Sequence, residues 1–396
     1  MTIFEVPNLN ETINYVTSLF LKHFQTNPSI CCYAPGRVNL IGEHTDYNDG
    51  FVLPMALPMV TVIVGEKTDT QECTIITVCP SVDDPKEIKF PVPGVENTIL
   101  TPGRPMWANY VKGVIANFKA GKLNGFNAVI STTVPVGGGL SSSAALEVAS
   151  YYFLEALNKE DSTVSEKALA CQKAEHDFLN MPCGIMDQFI SIMGKKDHVL
   201  FLDCRSLEYK LIELKDPKVT VLITNTNVKH KLSESQYPIR KKQCEMASKI
   251  IGKSSLRDAT LADLQNNREA VGEEVYCRAL HVVSEIKRTA DAVEALQQED
   301  YVKFGALMTE SHNSLRDCYE VSCPELDTVV SAALEVEGVY GSRMTGGGFG
   351  GCTVTLLRTD AITKTVENIM QMKYKNPTFY VCRPGDGAKV IPLTEL

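Results

Sequence analysis

The chain lacks the signatures that would assign it to several common classes. No C-x-x-C pair occurs among its thirteen cysteines, and no H-E-x-x-H or EF-hand spacing is present, so a tight metal site built wholly from protein ligands is not expected. The cysteines are scattered, odd in number and include the adjacent pair Cys31-Cys32; with no secretory leader, that pattern points to reduced thiols, mostly small buried residues. The longest apolar stretch, Phe51 to Gly65, holds Pro54 and Pro58 and falls short of the roughly 20 residues a membrane span needs. Basic residues are in deficit, 39 Lys+Arg against 48 Asp+Glu for a net charge of −9, which argues against general nucleic-acid binding through phosphate neutralisation. The expectation is a soluble cytoplasmic protein that uses neither nucleic acid nor membrane.

What is present is ordinary for a globular enzyme: 44% hydrophobic and 22% charged residues over 396 positions, enough for sizeable cores and most naturally two domains. Asn10 is placed to cap a helix with the stripe Ile13, Val16, Phe20 and Phe24, leading to a strand at Cys31 to Ala34. Strand patterns at 51 to 65, 72 to 79 and 126 to 131 follow, and Thr163-x-x-Glu166 forms a capping box. Past about residue 205 the pattern restarts with a strand at 218 to 225. It continues with a helical stripe from Leu280 to Leu296, a helix capped by Ser322, and a strand at 352 to 357. The predicted division is 1–205 and 206–396, of mixed α/β (α+β) class. The basic run Arg240-Lys241-Lys242 is expected on a solvated helix face.

The most informative segment is Gly137-Gly138-Gly139-Leu140-Ser141-Ser142-Ser143-Ala144-Ala145, between a strand pattern and a helix pattern. Glycines let the backbone approach a phosphate and adopt positive φ, while the first helical turn offers unpaired N–H donors and the positive end of the helix dipole. No lysine follows the glycines, which excludes a Walker loop, and Ser142 stands where a dinucleotide fingerprint needs a third glycine. A second cluster, Gly346 to Gly351, matches G-x-G-x-x-G literally but runs into a strand, so a Rossmann unit is discounted. A plain tight turn is the alternative for either cluster. The hydroxyls behind the first favour nucleotide phosphates.

Between Pro35 and Gly50 the chain places Arg37, Asn39, Glu43, His44, Asp46, Asn48 and Asp49, a mixture of acceptors and charged donors suited to a polyhydroxylated ligand such as a sugar, or to a solvated loop. Asp187 lies in an apolar helical run with Ile185, Met186, Phe189 and Ile190 and needs a partner there, either backbone N–H groups of the first turn or a cation such as Arg37. Glu175, Tyr237, Trp107 and Tyr110 are each as easily packing or surface residues as ligand contacts.

Three segments in order, Pro35 to Gly50, Val136 to Ala145 and Met344 to Gly351, resemble the three motifs of the GHMP small-molecule kinases. The first is similar to the galactokinase signature G-R-x-N-L-I-G-E-H-T-D-Y-N, and the likeness extends to Pro182-Cys-Gly-Ile-Met-Asp187. The resemblance implies an N-terminal domain like the second domain of ribosomal protein S5, a ferredoxin-like C-terminal domain and an active site between them. It implies transfer of the γ-phosphoryl group of MgATP to the C1 hydroxyl of α-D-galactose. By matching positions, Arg37, Glu43, His44, Asp46, Gly184, Asp187 and Tyr237 would line the sugar pocket, with Asp187 and Arg37 catalytic. Gly137, Gly139, Ser141 and Ser142 would cradle the phosphates, Trp107 and Tyr110 would lie near adenine, and Ser142 or Ser143 with Glu175 would hold Mg²⁺. The rival readings are an N-acetylgalactosamine kinase and a non-catalytic galactose and ATP sensor. The His44 to Asn48 run and the intact Ser143-Ala144 dipeptide favour a catalytic galactokinase.

Overall fold

The computed structural model describes residues 3–4, 6–93, 99–228, 233–372 and 376–393. The chain runs α1 (Leu9–Phe24), β1 (Ile30–Asn39), β2 (Phe51–Val52), β3 (Pro54–Lys67), β4 (Glu72–Thr77), β5 (Glu87–Pro91), α2 (Trp107–Asn117) and β6 (Phe126–Thr132). It continues through α3 (Ser142–Asn158), α4 (Val164–Leu179), α5 (Met186–Met193), β7 (His198–Asp203), β8 (Tyr209–Glu213) and β9 (Val219–Asn225). The remainder is largely helical: α6 (Ser233–Ile250), α7 (Leu261–Asn266), α8 (Arg268–Val271), α9 (Glu273–Gln297), α10 (Tyr301–Asp317) and α11 (Pro324–Leu334). It closes with β10 (Val339–Thr345), β11 (Cys352–Arg358), α12 (Ile362–Gln371), β12 (Thr378–Cys382) and β13 (Lys389–Ile391).

The strands form a six-stranded sheet ordered β13-β1-β3-β6-β4-β5, a four-stranded sheet β10-β11-β9-β12 and a three-stranded sheet β2-β7-β8. Among the described strands β4 and β6 pair in parallel and the other strand pairs are antiparallel. In β1 the alternation of side chains explains the adjacent cysteines. Cys31 and Tyr33 pack with Ile13, Val16 and Phe20 of α1, while Cys32 and Ala34 face Val148, Ala149 and the other apolar residues of α3. All thirteen cysteines are free. No described helix is long and apolar enough to cross a membrane.

Several sequence expectations shift by a residue or more. The cap of α1 is Asn8, whose side chain accepts from Asn10 N, so the predicted cap is already helical. The Thr163–Glu166 capping box forms as expected. Helix α11 starts after Cys323 with Pro324 at its first position, and the Ser322 hydroxyl donates to Asp327 instead of capping. On α9 the buried face includes Ala279, Val282 and Ala292 besides Ile286, Val293 and Leu296, while Leu280 and Val283 are half-buried. The division expected near residue 205 falls in the turn between β7 and β8.

Candidate active site

Strand β1 carries a bulge that decides where Arg37 points. Its pairing with β3 slips between Pro35 and Arg37, and Arg37 N donates instead to Leu140 O at 3.0 Å. Bulges re-aim side chains. A Cβ on Gly36 would sit 2.6 Å from that same carbonyl, so glycine is what permits the approach. Arg37 consequently projects toward the start of α5. Its Nε and Nη2 donate to Asp187 Oδ1 and Oδ2, each at 2.7 Å, and its Nη1 donates to Gly139 O at 2.7 Å. Burial opposes the guanidinium charge, but the Asp187, Glu43 and Asp46 carboxylates outweigh it and raise the Arg37 pKa. The pairing inferred for Asp187 is therefore the one found.

The geometry of the glycine–serine loop follows from backbone conformation. Gly137 and Gly139 have φ of 73° and 77°, and Ser141, at the cap position of α3, lies in the left-handed region at φ 58°. Ser141 does not cap its helix, because its hydroxyl donates to Asp187 Oδ2. The first turn of α3, with Ser142 and Ser143, therefore lacks a side-chain cap where it meets the cleft, an arrangement fitted to an anion. Glu175 of α4 comes alongside. Burial raises its pKa, while hydrogen bonds with Ser143 and Cys183 pull it back. Among the described residues no cluster of three or more His, Cys, Asp or Glu forms a metal cage. One carboxylate beside one hydroxyl at a phosphate site fits Mg²⁺, which takes few protein ligands and keeps waters and phosphate oxygens.

The loop from Asn39 to Gly50 folds against the third glycine segment. Glu43 Oε1 accepts from Gly346 N at 2.7 Å, Thr345 Oγ1 at 3.1 Å and Arg343 Nη1 at 3.4 Å. One Glu43 oxygen thus pins the two motifs together across some three hundred residues. His44 takes a positive φ of 63° and packs against Tyr47, Tyr237 and Tyr319. Burial lowers its pKa to about 3, with Arg240 adding to the effect, so the imidazole is neutral. Asp46 accepts from Tyr47 N at 3.0 Å, and burial, reinforced by Asp187, raises its pKa to about 7. Gly184 is pressed against this carboxylate: a Cβ there would lie 2.0 Å from Asp46 Oδ2.

These parts surround one cleft of about 880 Å³. Arg37, Glu43, His44, Asp46, Gly184, Asp187 and Tyr237 line it, as do Gly137, Gly139, Ser141, Ser142, Ser143 and Glu175. Trp107 and Tyr110 line it as well. Trp107 spends its indole N–H on Pro85 O at 3.1 Å and so offers a ring surface rather than a donor.

A family model described as the galactokinase galactose-binding signature matches residues 18–67, one for the GHMP kinase N-terminal domain matches 109–195, and one for the GHMP kinase C-terminal region matches 292–376. A galactokinase of Homo sapiens is 53% identical over 393 residues, spanning 99% of this chain and all of the relative. The chain belongs to the galactokinase family. A galactokinase of Bos taurus is 52% identical over 391 residues, with 99% of this chain and all of that one covered. The solved Lactococcus lactis galactokinase complexed with galactose superposes with a TM-score of 0.88 at 32% identity, over 96% of this chain and 99% of the other. A Methanococcus jannaschii mevalonate kinase structure, at TM-score 0.64 and 17% identity, shares the fold over 90% of this chain and 99% of its own.

As a galactokinase-family sugar kinase, the chain has the two-domain GHMP architecture, and its structure adds residues that the motif reading passed over. Glu147 on α3 is wholly buried, accepts from Gln188 Nε2 at 3.1 Å, and has its pKa driven far up by burial and then by Glu175. A lone glutamate in a helix gives no sequence signal of such a place. Arg240, expected on a solvated face, is buried and donates to the carbonyls of Tyr319 at 2.8 Å and Glu320 at 3.1 Å. Its lysine neighbours hid that role, since α6 turns one side of the basic run inward.

Proposed function

We propose that this chain transfers the γ-phosphoryl group of ATP to the C1 hydroxyl of α-D-galactose, yielding galactose 1-phosphate and ADP. The observation that carries the reading is the position of Asp187. It is bound to Arg37 of the sugar loop's own strand and to Ser141 of the phosphate loop, so one carboxylate stands where the two half-sites meet. Family relatives named galactokinase, and a structural neighbour described as complexed with galactose, support the choice of sugar.

The residues then divide the work. Arg37, Glu43, His44, Asp46, Asp187 and Tyr237 bind and orient galactose, with Gly184 leaving room for the Asp46 carboxylate. Gly137, Gly139, Ser141 and Ser142 receive the phosphates, and the Trp107 and Tyr110 rings lie toward adenine. Glu175 with Ser143 or Ser142 would hold Mg²⁺, which supplies charge neutralisation on the phosphate oxygens. Asp187 Oδ2 accepts from both Arg37 and Ser141, whereas among the described residues Oδ1 accepts from Arg37 alone and keeps an acceptor site. That oxygen takes the C1 hydroxyl proton as the sugar oxygen bonds to the γ-phosphorus and the bond to the ADP oxygen breaks. Arg37 orients the aspartate and stabilises charge on the transferring group. Little covalent work falls to the protein, so positioning and charge stabilisation dominate.

The division near residue 205, a cytoplasmic location and a monomeric state belong to the same reading. An assay of ADP release across galactose, N-acetylgalactosamine and other hexoses, repeated with Asp187→Asn, tests it. Galactose should be preferred and the variant should lose turnover. Preference for the acetylated sugar would overturn the substrate, and binding of both ligands without ADP formation would make the chain a sensor.

A further inference from the structure

His44 is the end of a chain of hydrogen-bonding groups running out of the helical part of the molecule. Its Nδ1 is 2.8 Å from the Tyr47 hydroxyl, which is 2.7 Å from the Tyr319 hydroxyl, which is 3.3 Å from the Cys244 thiol. Tyr319 is completely buried and Cys244 almost so, and the other ring of the stack, His281, lies 4.6 Å from Tyr319. The Tyr319 backbone is fixed as well: Arg240 binds its carbonyl, and two residues on, Val321 O accepts from Phe349 N of the third glycine segment at 2.6 Å. Phenylalanine would fill the same volume. The two phenol groups are therefore placed for their hydroxyls, and the relay ends on an imidazole that lines the cleft.

Each phenol has one proton to donate, so the relay has only two complete orientations. In one, protons point from Cys244 toward His44, and Tyr47 donates to Nδ1. In the other they point outward, and His44 Nδ1–H donates to Tyr47. The first matches a phenol donor to the imidazole nitrogen, a good acceptor, and leaves the weak S–H donor at the far end. The second would use up a phenol O–H on sulfur, a weak acceptor. With Nδ1 accepting, the neutral ring must carry its proton on Nε2. That nitrogen is buried and faces the backbone of Gly347, at the wall of the cleft.

We propose that Cys244, Tyr319 and Tyr47 form a hydrogen-bond relay that sets the tautomer of His44 and aims Nε2–H at the backbone of Gly347, holding the third glycine segment against the sugar pocket, with Tyr319 as the positioning residue at its centre. The inference rests on the sugar site proposed above for its ligand, but the tautomer is a property of the protein itself. The test joins ¹⁵N NMR of the histidine-labelled full chain with kinetics of Tyr319→Phe and Tyr47→Phe. In the wild type His44 should show a protonated Nε2 and an unprotonated, hydrogen-bonded Nδ1. In Tyr319→Phe the two nitrogen shifts should move toward the averaged values of mixed tautomers. KM for galactose should rise about tenfold, the scale of one neutral hydrogen bond, with kcat and KM for ATP changed less than about twofold. A wild-type spectrum with the proton on Nδ1 overturns the relay without any variant, and so does a Tyr319→Phe protein whose His44 shifts and galactose KM match the wild type. Failure of the wild type to phosphorylate galactose would instead count against the function, leaving the tautomer result to stand by itself.

Discussion

Replacing Arg37 by alanine removes three short hydrogen bonds at once, two to Asp187 and one to Gly139 O. Part of the effect is on the fold. Breaking a buried ion pair costs about 3–5 kcal/mol, but the Asp187 side chain is 27% exposed, and water can recover part of that loss. About 1–3 kcal/mol of stability should therefore be lost. The larger effect is on the reaction, since Asp187 loses its orienting fork and the transferring group loses a preorganised donor. Losing one such donor costs about 2.7–4 kcal/mol, a fall of about 10²–10³-fold in kcat/KM. Arg37→Lys separates the two contributions: it keeps the charge but cannot span both carboxylate oxygens and the Gly139 carbonyl. It should recover most of the stability while staying about tenfold or more below wild type. Coupled ADP-release kinetics with galactose, set beside thermal melts of each variant, give both readings. If Arg37→Ala kept kcat/KM within about threefold of wild type, or if its loss merely followed the unfolded fraction at the assay temperature, the argument for Arg37 would fail.

Gly184→Ala would push a Cβ to within 2.0 Å of Asp46 Oδ2, so KM for galactose should rise by about tenfold with a smaller change in kcat, as read from steady-state kinetics. The Asp46 pKa near 7, against 3.8 for an unperturbed side chain, makes opposite predictions for sugar affinity and for stability. In the proposed site the ionised carboxylate would accept sugar hydroxyls, so galactose KM should rise as pH falls through about 7. In the ligand-free protein the same group favours folding most at low pH, and its contribution is lost as pH rises from about 4 to about 7. A galactose KM that stays flat from about pH 5.5 to 8.5, or that varies unchanged in Asp46→Asn, would remove Asp46 from the binding step. Glu175→Gln should raise the Mg²⁺ concentration for half-maximal velocity by about tenfold or more while leaving the apparent galactose affinity near wild type; an unchanged Mg²⁺ titration would place the metal elsewhere.

What the sequence made legible was chemistry encoded locally. A loop fitted to an anion needs glycines at positive φ followed by a helix start, and Gly137, Gly139 and the serines that follow carry that pattern in nine residues. The Arg37–Asp187 pairing was one of two foreseen, because a carboxylate in an apolar run needs either backbone N–H groups or a cation. Contacts set by the fold at long range were not legible. Glu43 reads as one more polar loop residue until β10 brings Gly346 N to it. Tyr319 reads as a core aromatic until α6, α9 and the sugar loop close around its hydroxyl. The early end predicted for β1 has a similar cause: Pro35 and Gly36 look like a strand stop, yet the bulge lets pairing with β3 resume at Arg37 and run on to Asn39. Two helix caps were misread by a residue or two: Asn8, not Asn10, caps α1, and α11 starts after Cys323, which makes no side-chain cap, while the Ser322 hydroxyl is spent on Asp327.

The claim at the centre of this account is that Asp187 faces the anomeric oxygen of galactose across from the terminal phosphate. A crystal structure of the chain with galactose and a non-hydrolysable ATP analogue measures that directly. The account predicts the C1 oxygen within about 2.6–3.2 Å of Asp187 Oδ1, on the side facing the γ-phosphate. A sugar bound with C1 turned away from the nucleotide, or beyond hydrogen-bond reach of Asp187, would contradict it.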